Sequence, residues 1–190
     1  MTGDTRWATF TRAGISLGLR VPKGWEADTN DAGIILAEHM GTMETGGVLD
    51  SVQVHCFVHL VEGEATADDH NQAWEILSKI VADPAYIDSN DSVSGPVGFT
   101  WDDYDAAYYL LNNGDGSLKI LLALAVSDEQ LVACSISAPW RMAARIRSLA
   151  PAVLGSLTVN GHRLDSSALH NLPDPLEFPN YHPEVTAEAP

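Results

Sequence analysis

Three apolar runs separated by two tight turn signals constrain this 190-residue chain more than any other feature. Val97–Leu111 leads into Asn112-Asn113-Gly114-Asp115-Gly116, and Leu118–Val126 follows. Ser127-Asp128-Glu129 then precedes Leu131–Ala138. Parallel neighbours need a crossover of a dozen or more residues, so links this short permit only antiparallel hairpins. The middle run, LKILLALAV, is apolar at odd and even positions alike, as in a strand covered on both faces. A three-stranded antiparallel meander is therefore expected, and the remaining elements must pack around it.

Upstream, Trp7–Thr11 and Ile15–Val21 form two short strands joined by Arg12-Ala13-Gly14, and the second ends at the Pro/Gly stop VPKGW. Gly33–His39 is a further strand, followed by a flexible loop, MGTMETGG. Asp50–Val61 alternates, with Val52, Val54, Cys56, Val58 and Leu60 on one face and Gln53, His55, Phe57, His59 and Val61 on the other. A helix is predicted over 66–82, opened by a capping-box-like Thr66–Asp69 and ended at Asp83-Pro84. Its apolar face holds Ala73, Trp74, Leu77, Ile80 and Val81. A second helix is predicted over 140–155 from Met142, Ile146, Leu149 and Val153, with Pro151 kinking or dividing it. Leu157–Val159 is the last strand. The fold class is α+β, with one mainly antiparallel sheet flanked by two helices in an α/β/α sandwich. Residues 1–164 make a single domain. Residues 165–190 make a Pro-rich acidic tail whose only apolar anchors are Leu169, Leu172, Leu176 and Phe178. Truncation after Leu164 is expected to cost less than about 1 kcal/mol.

The formal net charge is −16, unevenly spread. Between Glu26 and Trp140 lie 20 acidic residues against Lys79 and Lys119, while arginines gather towards the ends at Arg6, Arg12, Arg20, Arg141, Arg145 and Arg147. So acidic a surface repels phosphate backbones, and nucleic acid is not an expected partner. No window approaches the roughly 20 apolar residues of a membrane span. No basic and apolar leader opens the chain, so cytoplasmic placement is expected, the alternative being a mature exported form with its leader removed. Cys56 and Cys134 do not make a disulfide framework; each alternates with Val and Ile, as a buried free thiol in a reducing compartment does.

VHCFVH (Val54–His59) places a cysteine between two histidines. On a strand, His55 and His59 have Cα atoms about 13 Å apart, and Cys56 faces the opposite way. Zinc–nitrogen bonds are only about 2.1 Å long, so no shared metal is expected. In TWDDYDAAYY, one continuous strand would place Asp103 and Asp105 beside Trp101 and Tyr109, and Asp102 beside Tyr104 and Tyr108. Clustered carboxylates can bind calcium or share a proton, but the calcium-loop register in LNNGDGSLKILL fails, with Leu111 and Leu122 at the first and last ligand positions. No G-x-S-x-G, P-loop, G-x-G-x-x-G, H-E-x-x-H or C-x-x-C is present, so neither catalytic residues, metal ligands nor a cofactor are assigned and no enzyme is expected.

FTRAGISLGLRVPKGWEAD resembles the opening of the PsbP-like family through Phe10, Gly14, Ile15, Leu17, Val21, Pro22 and Trp25. SDEQLVACSISAPWRMAARIRSLAPAVLGSLTV resembles that family's close, with Ser156-Leu157 at its final strand. The resemblance runs from about Trp7 to Asn160 and implies an antiparallel sheet with helices on both faces. Members include a photosystem II oxygen-evolving subunit, a Ran-binding import accessory protein, bacterial lipoproteins and chaperones of type VI secretion effectors. What they share is binding without catalysis. The matched positions are structural, so no functional residue is carried over.

A non-catalytic protein-binding adaptor or chaperone-like module is the function this implies. The alternative is a small-molecule or metal-binding module, less readily a weak hydrolase, lined by Trp101, Tyr104, His55 or His59. The candidate partner contacts are Trp101, Asp102, Asp103, Tyr104, Asp105 and Tyr108. There, acids beside the apolar run Ala106–Leu111 suit a partner protein with a hydrophobic segment and basic flanks.

Overall fold

The computed structural model describes residues 6–40, 50–61, 71–114 and 116–172. Strands β1 (Trp7–Arg12), β2 (Ile15–Arg20), β3 (Glu26–Asn30), β4 (Gly33–Ala37) and β5 (Gln53–Leu60) come first. Helix α1 (Gln72–Ala82) leads to β6 (Ser92–Trp101), β7 (Tyr104–Asn113), β8 (Ser117–Ser127) and β9 (Gln130–Pro139). A 3-10 segment, Trp140–Arg145, runs into α2 (Ile146–Val153) and a second 3-10 turn, Leu154–Ser156. Strands β10 (Thr158–Val159) and β11 (His162–Arg163) and the 3-10 turn Ser167–Asn171 follow.

The short links act as hairpins: β7 pairs antiparallel with β8, and β8 with β9. The α+β class with antiparallel pairing holds. Its strands, however, divide between two sheets. One has seven strands in the order β3-β4-β5-β9-β8-β7-β6; the other has four, β1-β2-β10-β11. The small sheet brings Ile15, Leu17 and Leu19 onto the face of the large sheet that carries Val54, Leu122, Leu124 and Ile136, and Ile146, Ala150 and Val153 of α2 complete that core.

Helix α1 covers the opposite face, where Ala73, Ile76 and Leu77 pack on Tyr109, Leu111 and Leu131. Cross-strand partners there are small: Gly98 faces Ala107, Ala107 faces Ala123, and Ala123 faces Ala133. This row is a shallow trough in which a helix backbone can approach closely; a Cβ on Gly98 would stand 3.3 Å from the Asn71 side chain. Asn71 is also the helix cap. Its Oδ1 accepts from Trp74 N at 2.8 Å, while its Nδ2 donates to the Ala106 carbonyl at 2.8 Å. The helix thus starts at Gln72; the Thr66–Asp69 box lies outside the described residues, as does most of MGTMETGG. Trp74, expected on the apolar face, is 43% exposed and donates its indole N–H to the Pro96 carbonyl.

Four elements differ from the sequence expectation. First, Val97–Leu111 is not one strand: Asp102-Asp103 form a two-residue turn, with Trp101 opposite Tyr104. Asp102 adopts φ 56, a left-handed conformation that Asp visits more readily than most residues. Second, Glu26–Asn30 forms an edge strand although every residue in it is exposed, so no apolar alternation marks it. Third, the predicted helix at 140 opens as 3-10 after Pro139, and α2 runs two residues beyond Pro151. Fourth, the body does not stop at Leu164. Leu169 is fully buried and Leu172 nearly so, both in the core under α2, so core packing among the described residues continues to Leu172. Leu176 and Phe178 lie outside the described residues.

Two outcomes follow from this packing. Leu169→Ala should destabilise by about 2–4 kcal/mol, because it empties a core site, whereas His170→Ala on the exposed side should stay within about 0.5 kcal/mol. Urea unfolding midpoints of the two variants check this. The second concerns the Arg145–Glu38 ion pair, which ties the 3-10 segment to the end of β4; Nη1 donates to Oε2 at 2.9 Å. The Arg145 hydrogen bond holds the Glu38 carboxyl below its ordinary value of 4.5. A depressed carboxyl stabilises above its unfolded pKa and ceases to do so as pH falls through the folded value. Arg145→Gln should therefore lower stability at pH 7 by at most about 1 kcal/mol, as the pair is partly exposed. That difference should vanish in melting curves taken well below pH 4.5.

Candidate binding cleft

The six residues predicted as partner contacts do not form one surface. Trp101 is fully buried, and its indole N–H donates to the Asp165 carbonyl at 3.0 Å. It is a core anchor for the start of the C-terminal segment and is not available to a partner. Because the turn falls at Asp102-Asp103, Tyr104 and Tyr108 share the Trp101 face, packed against the main core, and Tyr109 lies on the α1 face. Asp105 accepts weakly from Gln72 N at 3.4 Å, beside the start of α1. Asp102 accepts from His162 at 2.8 Å, tying the β6–β7 tip to the β10–β11 hairpin. Asp103 is exposed at the turn. The apolar run meant to adjoin these acids, Ala106–Leu111, is buried apart from the half-buried Tyr108. The acids therefore do not adjoin an exposed strip formed by Ala106–Leu111.

The VHCFVH histidines are separated as strand geometry requires. His55 stacks on Phe57, with ring centroids 4.8 Å apart, and bonds the Ala32 carbonyl at 2.9 Å. His59 lies at the other end of β5, where with Lys79, Asp83 and Tyr86 it lines a cavity of about 470 Å³ beside α1. Among the described residues no three His, Cys, Asp or Glu side chains converge as a metal site.

The larger concavity lies elsewhere. Val21 N bonds the Arg6 carbonyl at 2.9 Å, so the chain ahead of β1 is held beside the end of β2. The chain then turns at Pro22-Lys23-Gly24-Trp25, closed by a 3.1 Å bond from Trp25 N to the Pro22 carbonyl. Gly24 carries φ +85 in that turn, a conformation that favours glycine. Arg6 Nη2 donates to the Trp25 carbonyl at 2.5 Å and fixes the indole's backbone. Helix α2 supplies the facing wall, and the backbone N of Arg20 is held to Ser156 Oγ at 3.0 Å. The result is an open cleft of about 880 Å³ lined by Arg6, Arg20, Lys23 and Trp25 with Val21, Leu149, Ala152 and Val153. Among the described residues that line it none is acidic, in a chain of net charge −16. Among the described residues no carboxylate pairs with Arg20 or Lys23. Half-buried Trp25 and Leu149 offer apolar surface beside these cations. Such a site attracts a group that is negative at one end and apolar at the other.

This cleft was not singled out from sequence. The gathering of arginines towards the chain ends was its visible trace, but only the fold brings residues 6–25 against α2. The strand that closes the small sheet also carried an unused signal. Asn160-Gly161 between Val159 and His162 is a two-residue hairpin turn, with φ of 50 and 79.

No protein-family model matches the chain, and no curated protein does. Among solved structures, the chain is similar to that of LpqN, involved in cell envelope biogenesis of Mycobacterium tuberculosis. The identity is 10%, the TM-score is 0.49, and the match covers 83% of this chain and 92% of that one. No helix among the described residues is long and apolar enough to cross a membrane.

Proposed function

We propose that the protein is a non-catalytic binding module of PsbP-like type, and that its cleft receives a partner segment carrying acidic residues beside an apolar side chain. The observation that carries this is the grouping of Arg6, Arg20 and Lys23 around Trp25 and Leu149, with no carboxylate among the described lining residues. In an acidic molecule that grouping is a local reversal of field. It favours an anionic occupant and repels the basic-flanked segment expected from sequence. The apolar floor supplies affinity once charge has guided the encounter. The open shape suits a segment of chain laid along it. A cleft of about 880 Å³ also falls within the size range of ligand sites, which favours a small anionic amphiphile as the second reading.

Fluorescence anisotropy with two labelled peptide sets tests the primary reading. Both sets hold a central Leu or Phe; one is flanked by Asp and Glu, the other by Lys and Arg. The acidic set should bind, and Arg20→Gln, Lys23→Gln should weaken it about ten-fold, the effect fading as salt rises. Preference for the basic set, or equal acidic-peptide affinity in the double variant, would discard this use of the cleft.

A further inference from the structure

Cys56 on β5 and Cys134 on β9, taken from sequence as two independent thiols, are register partners at the centre of the large sheet. Both are wholly buried, and their Sγ atoms lie 2.7 Å apart. Directly opposed residues on antiparallel strands have Cα atoms about 4.5–5.5 Å apart, within the span a disulfide closes. The neighbouring register pairs, Val54 with Ile136 and Val58 with Val132, are apolar. Leu122 stands opposite Cys134 on its other side. Among the described register neighbours, then, none is a base that could activate a thiol.

We propose that Cys56 and Cys134 form an intrachain disulfide that bolts β5 to β9. This does not rest on the assignment of the cleft. The co-reactant is a disulfide-bearing oxidant, such as oxidised glutathione or a thiol oxidoreductase. One cysteine, as thiolate, attacks the oxidant's disulfide and displaces its first sulfur. The second cysteine then attacks the resulting mixed disulfide and displaces the other. One sulfur–sulfur bond is broken and one formed; two electrons and the two thiol protons pass to the oxidant, which leaves as two thiols. Complete burial confines this exchange to the folding chain, before β5 and β9 close over the sulfurs. In the folded, reduced protein, desolvation and then contact with Cys134 push the Cys56 thiol well up, which keeps it protonated and inert. Once formed, the bond is shielded by the same burial.

The test refolds the full-length chain from denaturant, once with oxidised and reduced glutathione and once with a dithiol reductant. The glutathione arm should give a monomer lighter by two hydrogens, with no alkylatable thiol until it is reduced. Its thermal midpoint should exceed that of the reduced arm by roughly 10 °C, because the bond closes a long loop. A Cys56→Ala, Cys134→Ala variant should melt at the same temperature from either arm. A glutathione-arm monomer with two free thiols, or with glutathione adducts, overturns the proposal. So does a cross-linked monomer that melts no higher than the reduced one.

Discussion

The pairing of β5 with β9 is the contact on which the rest of the structure depends. It runs from Gln53 opposite Ser137 to Leu60 opposite Gln130 and joins two assemblies that are each local in sequence. On one side lie β3, β4 and β5; on the other lies the β6–β9 meander. Loop-closure entropy must be overcome before such a distant pairing gains anything. Its inward positions are accordingly apolar throughout: Val54, Cys56 and Val58 against Ile136, Cys134 and Val132. Gly33, on β4, meets β5 from its other side. Its φ of +130 and the Cys56 carbonyl, 2.3 Å from where a Cβ would stand, leave room for no side chain.

The seam also explains why α1 lies where it does. β5 lies in mid-sheet and β6 at the far edge, and α1, between them in sequence, lies over β8, β7 and β6 on one face. A helix on that path approaches most closely where the floor is small, and Gly98, Ala107 and Ala123 provide such a strip beside the taller Tyr109, Leu111 and Leu131. The other face, free of this crossing, takes larger residues and is roofed jointly by the small sheet and α2.

The meander, the alternation of β5 and both helices were legible because each is encoded within a dozen residues as a period of 2 or 3.6. What was not legible depended on distance or on single turn residues. Asp102-Asp103 lies inside an aromatic run whose composition favours a continuous strand, and one left-handed aspartate reverses the chain. That reversal moved Trp101 from a proposed contact to a buried anchor. Leu169 and Leu172 sit in a stretch whose average is polar; their burial depends on a vacancy in the core that local composition does not record. The cleft was the least legible, since Arg6, Arg20 and Lys23 owe their importance to α2, more than a hundred residues away.

The small sheet has a consequence in time. The β1–β2 hairpin is made long before β10, yet β2 finds its second neighbour there. Gly18 pairs with Thr158, 140 residues later. At about 5–20 residues per second, that interval is on the order of 10 s of synthesis. Throughout it Leu17 and Leu19 have neither β10 nor α2 to cover them. The hairpin is therefore a waiting half-site during translation, and β10 and β11, when they emerge, act as the latch that removes it from view.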